Sequence, residues 1–137
     1  MSTQQDRNKQ VIRQLIDHAL NRGNFKIVDE LLAHDLEEHD PHQAVMSTPR
    51  QAFISAVNAF RIAFPDQNTV VDEQIAEHNL VATRWHMTGT HKGTFMGAAP
   101  TGRRVEVTGI FFDRLENGRI VETRANYDLF GLMQQIS

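Results

Sequence analysis

The chain has 137 residues, 40% of them hydrophobic, which suits one domain, residues 1–137, with a core of its own. Fourteen Lys and Arg against 17 Asp and Glu give a formal charge of −3, and no basic tract offers nucleic acid or an anionic membrane surface a partner. Cysteine is absent, which removes disulfides, thiolate nucleophiles and zinc–thiolate sites, and no run nears the ~18 apolar residues of a membrane span. With the polar opening "MSTQQDRNKQ", a soluble cytoplasmic protein is expected.

Val11, Ile12, Leu15, Ile16, Ala19 and Leu20 recur at helical spacing and form one apolar stripe, with Thr3 and Asp6 as its cap and Gly23 as its stop. A second short helix begins at Asn24 and carries Ile27, Val28, Leu31 and Leu32, so the two predict a hairpin. Asp40-Pro41 marks a turn and leaves His39 on an extended or irregular segment. Thr48 and Pro49 suit the cap and first position of a third helix, with Phe53, Ala56, Val57, Phe60 and Phe64 on one face and Pro65 ending it.

Beyond Pro65 the segments "TVVDEQIAE", "LVATRWHMTGTH", "RVEVTGIFFDRL" and "RIVETRANYDLF" are rich in β-branched and aromatic residues and predict four strands of a mostly antiparallel meander. "GLMQQI" adds a closing helical turn. Helices first and strands afterwards indicate an α+β fold, three N-terminal helices packed on one face of a curved sheet.

Between the second and third of these strands lies "GTHKGTFMGAAPTGRR", with four of the eight glycines. A phosphate-cradling loop needs a helix after it, and this one runs into a strand, so phosphate and dinucleotide sites are not expected. A long hairpin connection that lies across a sheet mouth fits better, with Phe95 and Met96 covering an apolar opening.

Alternation in "TRWHMTGTH" puts Thr83, Trp85, Met87 and Gly89 on one face and Arg84, His86, Thr88 and Thr90 on the other. Trp85 and Met87 are therefore core or pocket residues, His86 points to solvent or a partner subunit, and His91 is pocket rim or turn support. The Asn117-Gly118 turn decides what faces Asp128. A two-residue turn gives it Val107, Phe111 and Asp113; a bulge at Gly118 gives it Thr108, Ile110, Phe112 and Arg114. Arg124 and Asn126 share its side of their own strand either way. Asp128, where an apolar strand ends, suits a partly desolvated general acid/base or the N-cap of the closing helix. His39 reads as a pocket residue or, with Glu38, Asp40 and His42, as a solvated turn. His34, Asp35, His39 and His42 lack a metal-binding spacing, and no metal is expected.

The segments "NRGNFKIVDELLAHD", "EHDP", "AFPD", "VATRWHMTGTHKGTFMGAAPTGRRV", "NGRIVETRANYD" and "LFGLMQQI" resemble, in order and over nearly the whole chain, the SnoaL-like polyketide cyclases of the nuclear-transport-factor-two-like superfamily. The resemblance implies a cone with a largely apolar pocket at its open end. It implies Asp128 as general acid/base of an intramolecular aldol closure without metal or cofactor, assisted by His39. A small hydrophobic or polyketide-like ligand would then meet Trp85, Met87, His91, Phe112, Arg124 and Asn126. Other superfamily members are epoxide hydrolases with an Asp-Arg-Asp set, for which Asp113, Arg124 and Asp128 supply the residue types, and a non-catalytic ligand-binding module is a third reading. Pairing through the outer sheet face, carrying Val105 and Val107 or Phe112, implies a homodimer or higher homo-oligomer.

Overall fold

A computed structural model describes residues 3–39 and 49–137, the side chains of Glu38 and His39 excepted. The expected turn at Asp40-Pro41, the Thr48 cap and His42 lie outside the described residues. Helix α1 (Gln4–Leu15) opens on the expected capping box, in which the Thr3 hydroxyl accepts from the Asp6 N–H and the Asp6 carboxylate from the Thr3 N–H. It runs on as a π-helical turn over Ile16–Asn21, and α2 (Lys26–Leu31) folds back after Gly23. The apolar stripe is buried as the spacing predicts: Ile12, Leu15, Ile16, Ala19, Val28 and Leu31 join one core cluster. Helix α3 (Pro49–Ala63) and a short C-terminal helix α4 (Leu129–Gln135) complete the helical set.

Among the described residues the sheet has five strands, in the order β1-β5-β4-β3-β2. Strands β2 (Asn68–Glu77), β3 (Leu80–Thr90), β4 (Arg104–Glu116) and β5 (Arg119–Tyr127) form the expected antiparallel meander. The fifth strand, β1 (Leu32–His39), takes residues assigned from sequence partly to α2 and partly to an irregular segment, and pairs in parallel with β5. Leu32, Ala33 and Leu36 are its buried anchors. Too few apolar residues stand in simple alternation there for a strand period to show. The result is the expected α+β cone, helices on one face of a curved, mostly antiparallel sheet.

The register of β4 and β5 positions the site. Asn117 and Gly118 both have positive φ, 52° and 77°, so the hairpin closes on the two-residue turn that Asn-Gly favours. The face assignment attached to that turn does not follow, because β5 carries a bulge: Arg114 pairs with Glu122 but Leu115 with Ile120. The extra residue, Val121, reverses the alternation. Beyond it Thr123, Ala125 and Tyr127 stand opposite Asp113, Phe111 and Gly109, on the helix side of the sheet. Arg124 and Asn126 stand opposite Phe112 and Ile110, on the outer side.

The glycine-rich connection is tied down at both ends. The N–H groups of Lys92 and Gly93 donate to the carbonyl of Ala63, one of the last carbonyls of α3 that lacks a helical partner. His91 is fully buried, its Nδ1 hydrogen-bonded to the backbone N–H and hydroxyl of Thr101 across the loop. Phe95 is buried between Phe60 and Phe64, at ring separations of 5.1 and 5.6 Å. Met96, at the tip, is exposed. The loop thus covers one end of the core through Phe95 and Ala98 and not through Met96.

Candidate functional site

A largely apolar cavity lies between the helices and the inner face of the sheet. Ile12, Leu15, Ile16 and Leu20 form one wall, Phe53, Val57 and Phe60 of α3 another, and Trp85, Met87, Phe111, Ala125 and Tyr127 the sheet side. The π-helical turn places Ile16 and Leu20 on this wall. Of the acidic residues described, only Asp113 lines it.

Asp113 sits in the inward phase of β4, between Phe111 and Leu115, and is 3% exposed. Thr123 is its cross-strand neighbour. Burial pushes the Asp113 carboxyl up to about 7, against the opposing pull of the Thr123 side chain. Desolvation disfavours the charged form. A carboxyl group balanced there can both take and return a proton near neutrality.

Asp128 lies elsewhere. It is exposed, and its side chain caps α4, accepting from the Gly131 N–H at 2.9 Å. The desolvated setting expected for it surrounds Asp113 instead. Trp85 and Met87 do line the cavity, as expected. Phe112, Arg124 and Asn126 do not: Phe112 faces outward by the alternation of β4 and is 42% exposed, and the bulge turns Arg124 and Asn126 to the same outer face, where Arg124 bonds to Glu122. His91 packs behind the wall against Phe64, at a ring separation of 5.6 Å. His39 ends β1 in register with Arg124, and its side chain lies outside the described residues. Asp113 is buried on the inner face while Arg124 lies on the outer face and Asp128 caps α4 in the open, so the Asp-Arg-Asp set is not assembled. Val105 and Val107, expected as candidates for an outer pairing face, are buried inside.

His86 points outward as expected, 2.7 Å from Asp72. Among the described residues no group of acidic and histidine side chains is placed to hold a metal ion, and no helix is long and apolar enough to cross a membrane. Asp113 was legible as a neighbour of Asp128 under the two-residue turn and as one member of the alternative set. The missed signal was an acid in the same phase of β4 as the inward Val105, Val107 and Phe111.

Helices closing a curved sheet over an apolar cavity with one buried acid define an α+β cone of the nuclear-transport-factor-two-like kind. Within that class the chain belongs to the SnoaL-like polyketide cyclase family, whose model matches residues 10–136. It is similar to IdmH of Streptomyces antibioticus, provisionally described as a polyketide cyclase, at 32% identity over 93% of this chain and 96% of that one, with a TM-score of 0.82. A protein of Jannaschia sp. CCS1, provisionally described as a SnoaL-like polyketide cyclase, has 24% identity, a TM-score of 0.88 and coverage of 100% and 96%. AclR of Streptomyces galilaeus, provisionally described as a hydroxylase, has 26% identity, a TM-score of 0.84 and coverage of 96% and 85%. No curated protein sequence matches the chain.

Proposed function

We propose that the chain binds a small, largely apolar carbonyl compound in this cavity and that Asp113 serves as the general acid/base of an aldol-type ring closure. The observation that carries the reading is that Asp113, among the described residues, is the one carboxyl group in a wall that is otherwise mostly hydrocarbon, where burial pushes it up to about 7. In its ionised form Asp113 takes a proton from the carbon next to a carbonyl. The enolate carbon attacks a second carbonyl of the same molecule, and the protonated Asp113 gives its proton to the oxygen that becomes the hydroxyl. Proton and electron pairs balance within one substrate and one residue. The surrounding apolar side chains keep water from competing for the proton.

The first half of this reaction can be tested with β-tetralone, a bicyclic ketone, by following exchange of its α-protons in heavy water by NMR. Exchange should be accelerated by the protein, rise as pH passes through about 7, and fall to the uncatalysed rate in Asp113→Asn. Unchanged exchange in that variant defeats the reading. Binding without any acceleration by the native protein favours the non-catalytic module instead.

The outer sheet face supports association with a second copy. Ile75, Phe112 and Ile110 are 67%, 42% and 48% exposed there, Ile75 and Phe112 in one cross-strand row and Ile110 in the next. Light scattering should give the mass of a dimer, reduced to a monomer in Phe112→Arg; a monomeric native protein excludes this pairing.

A further inference from the structure

The polar groups around the cavity are nearly all committed to one another. Arg61 donates to the carbonyls of Leu20 and Asn21 at 2.9 Å each. Gln67 donates to the Leu20 carbonyl and accepts from the Thr69 hydroxyl. Among the described residues that line the cavity, Trp85 has the one buried polar side-chain atom without a hydrogen bond, its indole Nε1. The residue is 7% exposed. Buried donors in native proteins are almost always paired, and an unpaired one calls for an explanation.

The indole is held firmly. It lies against the backbone of β4 at Gly109, where a β-carbon would collide with its ring and stand 2.9 Å from the Asn126 carbonyl oxygen. Phe111 packs on it at a ring separation of 5.2 Å. Trp85 and Asp113 therefore belong to one continuous inner face, with Phe111 on β4 between Gly109, the partner of Trp85, and Asp113. A donor so fixed is ready for an acceptor supplied from outside the chain.

From this we infer that Trp85 is a ligand-binding residue whose indole N–H donates to an oxygen of the bound molecule, the carbonyl oxygen beside the carbon that Asp113 deprotonates. This deepens the acid/base reading and rests on it for the identity of that oxygen. The donor would meet the oxygen as negative charge develops, where a preset hydrogen bond is most effective. It selects ligands with an acceptor oxygen over hydrocarbons of the same shape.

Trp85 is the only tryptophan, so the protein has one indole N–H resonance. Titration with β-tetralone should move that resonance downfield, and tetralin, the same skeleton without the oxygen, should not. The ketone should also bind about five- to tenfold more tightly than tetralin, roughly the worth of one neutral hydrogen bond. Trp85→Phe should remove that preference while keeping the circular dichroism of the fold. Asp113→Asn should keep the indole shift even though it abolishes proton exchange, which separates failure of this inference from failure of the acid/base assignment. An indole resonance that responds alike to both compounds, equal affinities, or binding of neither overturns the inference.

Discussion

Replacing Asp113 by Asn changes the pH dependence of stability in a way that can be worked out beforehand. In the folded protein the buried carboxyl holds its proton up to about 7, whereas in the unfolded chain it releases it near the ordinary 3.8. Between those values the folded state binds more protons, so stability falls as pH rises through the window, and the loss is complete above the folded value. At about 1.4 kcal/mol for each factor of ten, the gap from 3.8 to about 7 amounts to about 4 kcal/mol. Asn has nearly the same shape and does not titrate. Urea unfolding of both proteins from about pH 4 to about pH 8 isolates the residue, because every other group cancels in the difference. The stability of Asp113→Asn relative to the native protein should climb across this range by about 4 kcal/mol. A difference that stays flat with pH would show that Asp113 is solvated or paired, and the reasoning about its chemistry would go with it.

Asp128→Ala should cost about 1 kcal/mol, the usual worth of a helix N-cap, because it removes the hydrogen bond to Gly131. Proton exchange on β-tetralone should remain native in that variant; a loss there would return the catalytic role to Asp128. Gly109→Ala should force the Trp85 indole off the β4 backbone and cost about 1–3 kcal/mol, as overpacking does. It should also shift the fluorescence of the single tryptophan, and an unchanged spectrum with native stability would contradict the close packing.

Most of the architecture can be read from residues that obey one period. The stripe from Val11 to Leu20, the face from Phe53 to Phe64 and the alternation through Trp85 and Met87 each name an inward surface, and each is buried or half-buried. The glycine-rich connection is likewise legible as a hairpin link, because a strand follows it. The site is harder, because its identity rests on parity. Val121 is one residue in excess of the ladder, and nothing in "NGRIVETRANYD" distinguishes it from its neighbours. Its effect is to exchange Arg124 and Asn126 for Thr123 and Ala125 as inward residues. Strand β1 is hidden for a related reason: its parallel partner lies far along the chain, and its own alternation is broken by acidic residues.

The parallel pairing of β1 with β5 also bears on how the molecule comes into being. Leu32 has to wait for Ile120, so during synthesis the first strand leaves the ribosome long before its neighbour, while the meander of β2, β3 and β4 can already zip locally. Thr123, Ala125 and Tyr127, which complete the sheet side of the cavity, arrive with that last strand. A nascent chain therefore holds its greasy interior open until β5 has been made, and chaperone demand should peak in that interval.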